Sequence, residues 1–151
     1  MGFVRFALLL VLWPAVGLAQ APPAVPPPEP PEVITRGADG HAVLRTMRIP
    51  SPMVLDGKLD EAFYRDVLPA AGFIQQEPLE GQPATDKTEV WVFFDDKNVY
   101  VGARMWETDS SKRVTSDMRR DAPNMYNNDH IAVMFDTFND RRNGFGFSSN
   151  A

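Results

Sequence analysis

The sequence predicts an all-β fold, an antiparallel sandwich with one short helix. Three observations carry this prediction. Apolar and polar residues alternate with a period of two in two separate stretches, around residues 88–106 and 130–147. Turn-forming residues interrupt each stretch near its middle. Only residues 59–67 show helical spacing. Short strands joined by turns, with so little helix, favour antiparallel sheets packed face to face.

The first residues are set aside from the fold. Arg5 is followed by an unbroken apolar run over residues 6–13. That is too short to span a bilayer, which takes ~20 apolar residues, and suits a secretory signal. Gly17 and Ala19 supply the small residues of a peptidase site, which predicts cleavage before Gln20 and a signal peptide over residues 1–19. Residues 20–41 read as a linker, because residues 21–31 hold half of the chain's prolines. Proline has no backbone donor, so this stretch is expected as an extended polyproline spacer.

The folded domain is expected over residues 42–151. Val43 to Met47 can form a first strand, ended by Pro50 and Pro52. Asp56-Gly57 is a turn. Leu59, Phe63 and Val67 then recur at i, i+4 and i+8, one face of a helix that Pro69 stops. Asp60 and Glu61 are expected in its first turn, where negative charge suits the dipole.

Residues 77–87 form a loop, and strand alternation follows it. Asp95-Asp96-Lys97-Asn98 is turn chemistry between two strands. If those four residues form the loop, Phe94 pairs with Val99, Val92 with Val101 and Val90 with Ala103, giving one purely apolar face. The other face sets Trp91 opposite Gly102, Phe93 opposite Tyr100 and Glu89 opposite Arg104. Residues 107–130 are polar and loop-like. Ile131, Val133 and Phe135 begin a second hairpin, which turns at residues 139–144 and returns through Phe145 and Phe147. The chain stops in or just past a strand, so further strands are expected beyond it.

Composition excludes several classes. Without residues 1–19, fourteen Lys and Arg face twenty Asp and Glu, a formal charge of −6. A nucleic-acid partner needs a basic face, so none is expected. Cysteine is absent, which removes thiolate metal sites and cysteine nucleophiles.

The segment Leu55-Asp56-Gly57-Lys58-Leu59-Asp60-Glu61-Ala62-Phe63 resembles the opening motif of the family 9 carbohydrate-binding modules. Val99-Tyr100-Val101-Gly102-Ala103-Arg104 and Asp129-His130-Ile131-Ala132-Val133-Met134-Phe135-Asp136 resemble two of that family's later strands. Phe73-Ile74-Gln75-Gln76-Glu77-Pro78, Arg119-Arg120-Asp121 and residues 138–145 bring the resemblance closer to a subgroup fused to an outer-membrane β-barrel of unknown function. It covers residues 43–151. It implies a jelly-roll/immunoglobulin-like β-sandwich, binding of polysaccharide or oligosaccharide by some members, calcium in some, and association with polysaccharide breakdown. With the export signal, it places the chain in the periplasm or at the outer membrane, or else outside the cell, as the N-terminal part of a longer envelope protein.

The aromatic strand face is the candidate carbohydrate site. Trp91, Tyr100, Arg104 and Trp106 share it by strand parity, and Glu89 joins them. Indole and phenol rings cover the C–H patches of a sugar, while Arg and Glu bond its hydroxyls. The alternative is that this face is a second core layer beneath the helix or loops, with Glu89 and Arg104 as a cross-strand ion pair. Calcium takes about 6–8 oxygen ligands. Asp56, Asp60, Asp129 and Asp136 are candidate donors, as are Asp117, Asp121 and the asparagines near them, against the reading of these loops as solvated. A glycosidase needs two carboxylates about 5–9 Å apart. No motif singles out such a pair, so no catalytic residue is assigned. Packing on a barrel or periplasmic partner is the other functional expectation.

Overall fold

A computed structural model describes residues 24–117 and 119–150. The signal peptide expected over residues 1–19 and the start of the linker lie outside the described residues. The chain divides into two units at Arg45 and Thr46.

The first unit contains structure where a linker was expected. Strand β1 (Ile34–Arg36) pairs antiparallel with β2 (Ala42–Leu44), Ile34 opposite Leu44. The Gly37 N–H donates to the His41 carbonyl at 2.7 Å, and Gly40 takes a positive φ of 82° that closes the turn. Val33-Ile34-Thr35 is a β-branched run that prefers extended backbone, and Val33 is buried. The linker over residues 20–41 is therefore corrected: its last part is a hairpin arm, and the boundary falls after Arg45.

The second unit is built on a three-stranded sheet. Strand β3 (Met47–Arg48) pairs parallel with β4 (Thr88–Phe94), and β4 pairs antiparallel with β5 (Val99–Met105). The β4–β5 register is the one the turn predicts: Phe94 with Val99, Trp91 with Gly102, Glu89 with Arg104. The parallel β3–β4 pair departs from an all-antiparallel plan. The expected first strand over residues 43–47 is split, with β2 and β3 in different sheets. A second hairpin joins β6 (His130–Phe135) to β7 (Phe145–Asn150), Phe135 opposite Phe145. With one five-residue helix, α1 (Ala62–Asp66), the fold is all-β. Asp60 and Glu61 precede α1 instead of occupying its first turn. Within residues 107–130, Ser110–Lys112 and Met125–Asn127 make single 3₁₀ turns.

The core lies on the aromatic face of β4–β5, which resolves the choice left open above. Ile49, Tyr64, Trp91 and Phe93 are buried together, with Leu59, Phe63, Val67 and Tyr100 packed around them. Tyr64 meets Trp91 edge-on at 5.4 Å and Phe93 at 5.4 Å, and Phe63 meets Phe93 at 5.0 Å. The opposite face, of valines with Phe94 and Ala103, is only half-buried, and Val99 and Val101 on it are 57 % and 36 % exposed. The physical reason is area. Each aromatic ring removes more apolar surface from water than a valine, and edge-to-face ring pairs add to that.

Candidate functional site

A cleft of about 910 Å³ opens where β5 ends and β6 begins. The backbone N–H of Trp106 donates to the Lys87 carbonyl at 2.9 Å, which carries the strand pairing one residue past β5. The Trp106 indole is held at the cleft wall, 40 % exposed. The Lys87 ammonium sits 4.4 Å from its ring centroid. The Arg104 guanidinium lies 5.9 Å from the Trp106 ring and 5.7 Å from that of Trp91. These are cation–π distances, and they hold the two flexible cations against flat aromatic surfaces.

The loop after Trp106 forms the facing wall and is stapled by its own polar groups. Arg113 pairs with Glu107 through both Nε, at 2.8 Å, and a terminal nitrogen. Lys112 pairs with Asp109 at 3.6 Å. The Asp109 carboxyl is held below the usual carboxylate range, first by the Ser111 hydroxyl and then by its N–H. The Asp86 carboxylate accepts from the Thr108 N–H at 3.1 Å and from its hydroxyl.

Just before β6, Asp129 accepts the Val114 N–H at 2.9 Å. His130 Nδ1 lies 2.7 Å from the Asn128 carbonyl. A carbonyl only accepts, so Nδ1 is the donor in this bond. Tyr126 packs edge-on against this imidazole at 5.5 Å. Asn128, buried, accepts the Ser116 N–H and hydroxyl, each at 2.7 Å, and fastens the loop to the start of β6.

The five residues expected to share one sugar-binding face are dispersed. Trp91 is only 4 % exposed, and its Nε1–H donates to the Val67 carbonyl at 2.9 Å. It is core, covered by Tyr64. Tyr100 lies at the other end of the sheet, where its hydroxyl donates to Asp95 at 2.6 Å and lines a second cleft of about 610 Å³ with Arg48 and Asp96. Glu89 stands opposite Arg104 in register, yet its carboxylate pairs with Lys87 at 2.8 Å. The cross-strand Glu89–Arg104 ion pair is thereby corrected, since Arg104 turns to the indoles instead. Only Arg104 and Trp106 line the large cleft. Lys87 and the loop ion pairs were not foreseen; the Lys87-x-Glu89 spacing is the one local signal that marks a lysine reaching along its own strand.

The calcium candidates do not converge. Asp56 accepts the Lys58 N–H at 2.9 Å within its turn, and Asp60 is exposed. Asp136 accepts the N–H groups of Asp140 at 3.2 Å and Arg141 at 2.7 Å, and these donors lower its pKa, that of Arg141 most. Asp117 pairs with Arg119 at 2.8 Å. Among the described residues, no three acidic or histidine side chains come together as a metal-binding group. The oxygens of Asp56, Asp117, Asp129 and Asp136 are engaged by backbone N–H groups or neighbouring cations, and Asp60 stands apart on the surface, which corrects the expected ligand set.

No family model, no curated protein and no solved structure matches the chain.

Proposed function

We propose that the chain is an exported carbohydrate-binding module, working in the periplasm or at the outer membrane as the N-terminal part of a longer envelope protein. One observation carries the reading: the half-exposed Trp106 indole at the wall of an open cleft, with the Arg104 guanidinium beside it and a polar loop opposite. Protein–sugar recognition needs that pairing of a flat apolar surface with hydrogen-bonding groups around it. The two hairpins are read as parts of a jelly-roll/immunoglobulin-like sandwich, and the barrel-fused subgroup as the relatives to test against. Calorimetry and affinity electrophoresis of the folded protein against xylan, cellulose and glucan oligosaccharides test it. Binding to one of them that disappears in Trp106→Ala is the expected result; no binding to any of them removes the carbohydrate reading.

A second reading, an interaction module that packs on a partner such as a barrel in the same envelope, draws on a different surface. Phe145 and Phe147 are 58 % and 62 % exposed on one face of the β6–β7 hairpin, with Phe135 and Val133 opposite them in register. Aromatic and aliphatic side chains left in water along one hairpin fit a face that is covered in a larger assembly. Hydrogen exchange in the full envelope protein separates the readings, because a covered hairpin is protected there and a free one exchanges quickly.

A further inference from the structure

The charged groups of the large cleft differ in how much bonding capacity they retain. Arg113 is committed to Glu107 and Lys112 to Asp109. Asp86 and Asp129 line the cleft too, but each is bonded to the loop backbone, through Thr108 and Val114. Among the described residues, the Arg104 side chain has no ion pair and no hydrogen bond; it has only its cation–π contacts with Trp91 and Trp106. Such contacts use the charge of the guanidinium and none of its N–H donors, and the planar fork of those donors matches a carboxylate with two parallel bonds.

We infer that this cleft takes a carboxylate-bearing saccharide, one containing uronate units, in preference to its neutral counterpart, with the Arg104 guanidinium seated on the carboxylate and the sugar ring against Trp106. The inference rests on the carbohydrate reading of the cleft and narrows it to a substrate class. A neutral hydroxyl can also accept from Arg104, but charge-assisted hydrogen bonds are roughly twice as strong as neutral ones. The His130 imidazole also lines the cleft, and with Nδ1 on the Asn128 carbonyl its other ring nitrogen can hydrogen-bond a hydroxyl of the same sugar. Asp86 and Asp129 set the opposing field, so the preference depends on the direct Arg104 contact rather than on the overall charge of the cleft.

The test is calorimetry of the full chain against matched pairs: cello-oligosaccharides and their C6-oxidised forms, and xylo-oligosaccharides with and without glucuronate branches. The uronate form of a pair is expected to bind about tenfold more tightly at low salt, and the advantage shrinks as salt rises. Arg104→Gln should abolish the preference, weakening binding of the uronate form by about tenfold more than that of the neutral form. Arg104→Lys, which keeps the charge without the fork, should retain only part of it. Arg104 is exposed, and a thermal melt confirms that each variant folds. Equal or tighter binding of the neutral form, or a preference that survives Arg104→Gln, overturns this inference and leaves the carbohydrate reading standing. Binding of neither form by folded protein overturns both.

Discussion

The ring of Tyr64 lies directly on the backbone of Gly102. A Cβ built on that glycine would come within 2.8 Å of the Tyr64 hydroxyl oxygen and 2.9 Å of a ring carbon. The tyrosine has little room to retreat. Its ring is wedged against Phe63, Trp91 and Phe93, and its hydroxyl donates to the Met53 sulfur at 3.4 Å. Gly102 is therefore needed for close approach and not for an unusual backbone angle. Gly102→Ala should destabilise the fold by about 1–3 kcal/mol, the usual cost of overpacking a core. Chemical denaturation of Gly102→Ala, Tyr64→Ala and the double variant checks it. The two single effects should add to clearly more than the double one, because removing Tyr64 makes space for the methyl.

The two tryptophans of the folded part should report opposite environments. Trp91 is buried with its N–H satisfied, and Trp106 is half in water. In a Trp13→Phe background, acrylamide should quench Trp106 emission strongly and Trp91 emission weakly, as read from Trp91→Phe and Trp106→Phe. Trp91→Ala should cost about 3–5 kcal/mol of stability, the range for deleting a large aromatic from a core. Trp106→Phe should leave the melting temperature nearly unchanged. Equal quenching of the two would contradict the burial of Trp91.

Much of the fold was legible from sequence because hairpins are local. Asp95-Asp96-Lys97-Asn98 sets the turn, and the turn sets every pair from Phe94–Val99 to Thr88–Met105. Which face the core chooses was not legible, since both faces of β4–β5 carry several apolar side chains. The choice depends on Phe63 and Tyr64, which approach from a helix more than twenty residues away. The β1–β2 hairpin was obscured by the prolines before it, although its β-branched run was in view. The site was half legible. Strand parity placed Arg104 and Trp106 together, but the partner of a long side chain is decided by competition. Lys87 reaches Glu89 along the strand, and that leaves Arg104 to the indoles.

The β4–β5 turn should be sensitive to acid. Asp95 accepts from the Tyr100 hydroxyl at 2.6 Å and from the N–H groups of Lys97 and Asn98, each at 2.7 Å. These donors, the Tyr100 hydroxyl most of all, hold its pKa far below the usual carboxylate range. A lowered folded pKa means that the contribution is present above the unfolded value of about 3.9 and lost as pH falls toward the folded one. Tyr100 is shifted the other way, raised chiefly by its bond to Asp95. Its contribution is complete below about pH 10 and lost as pH rises past that value. Melting temperatures between pH 2 and 6 should therefore fall more steeply for the native chain than for Asp95→Asn or Tyr100→Phe. Parallel curves would contradict the assignment.

The wall of the cleft should depend on a single buried amide. Asn128 is 5 % exposed. Its carbonyl oxygen takes both donors of Ser116, and its NH₂ reaches the Asn124 carbonyl at 3.4 Å. Replacing it by leucine preserves bulk but takes the acceptor from both Ser116 donors; Ser116 is exposed and water can replace part of the loss, so the cost is that of ordinary hydrogen bonds, about 0.5–1.5 kcal/mol. Replacing it by aspartate keeps the acceptor but buries a charge, which should be worse at neutral pH than under acid conditions where the carboxyl is protonated. The loss should be local at first. Hydrogen exchange at Ser116 and across residues 107–117 should accelerate in Asn128→Leu while β4 and β5 keep their protection. Because that loop carries the ion pairs opposite Trp106, any ligand of the cleft should then bind more weakly even though no residue touching it has changed. Unaltered exchange in the loop would show that the segment is held by other bonds, the Glu107–Arg113 pair foremost among them.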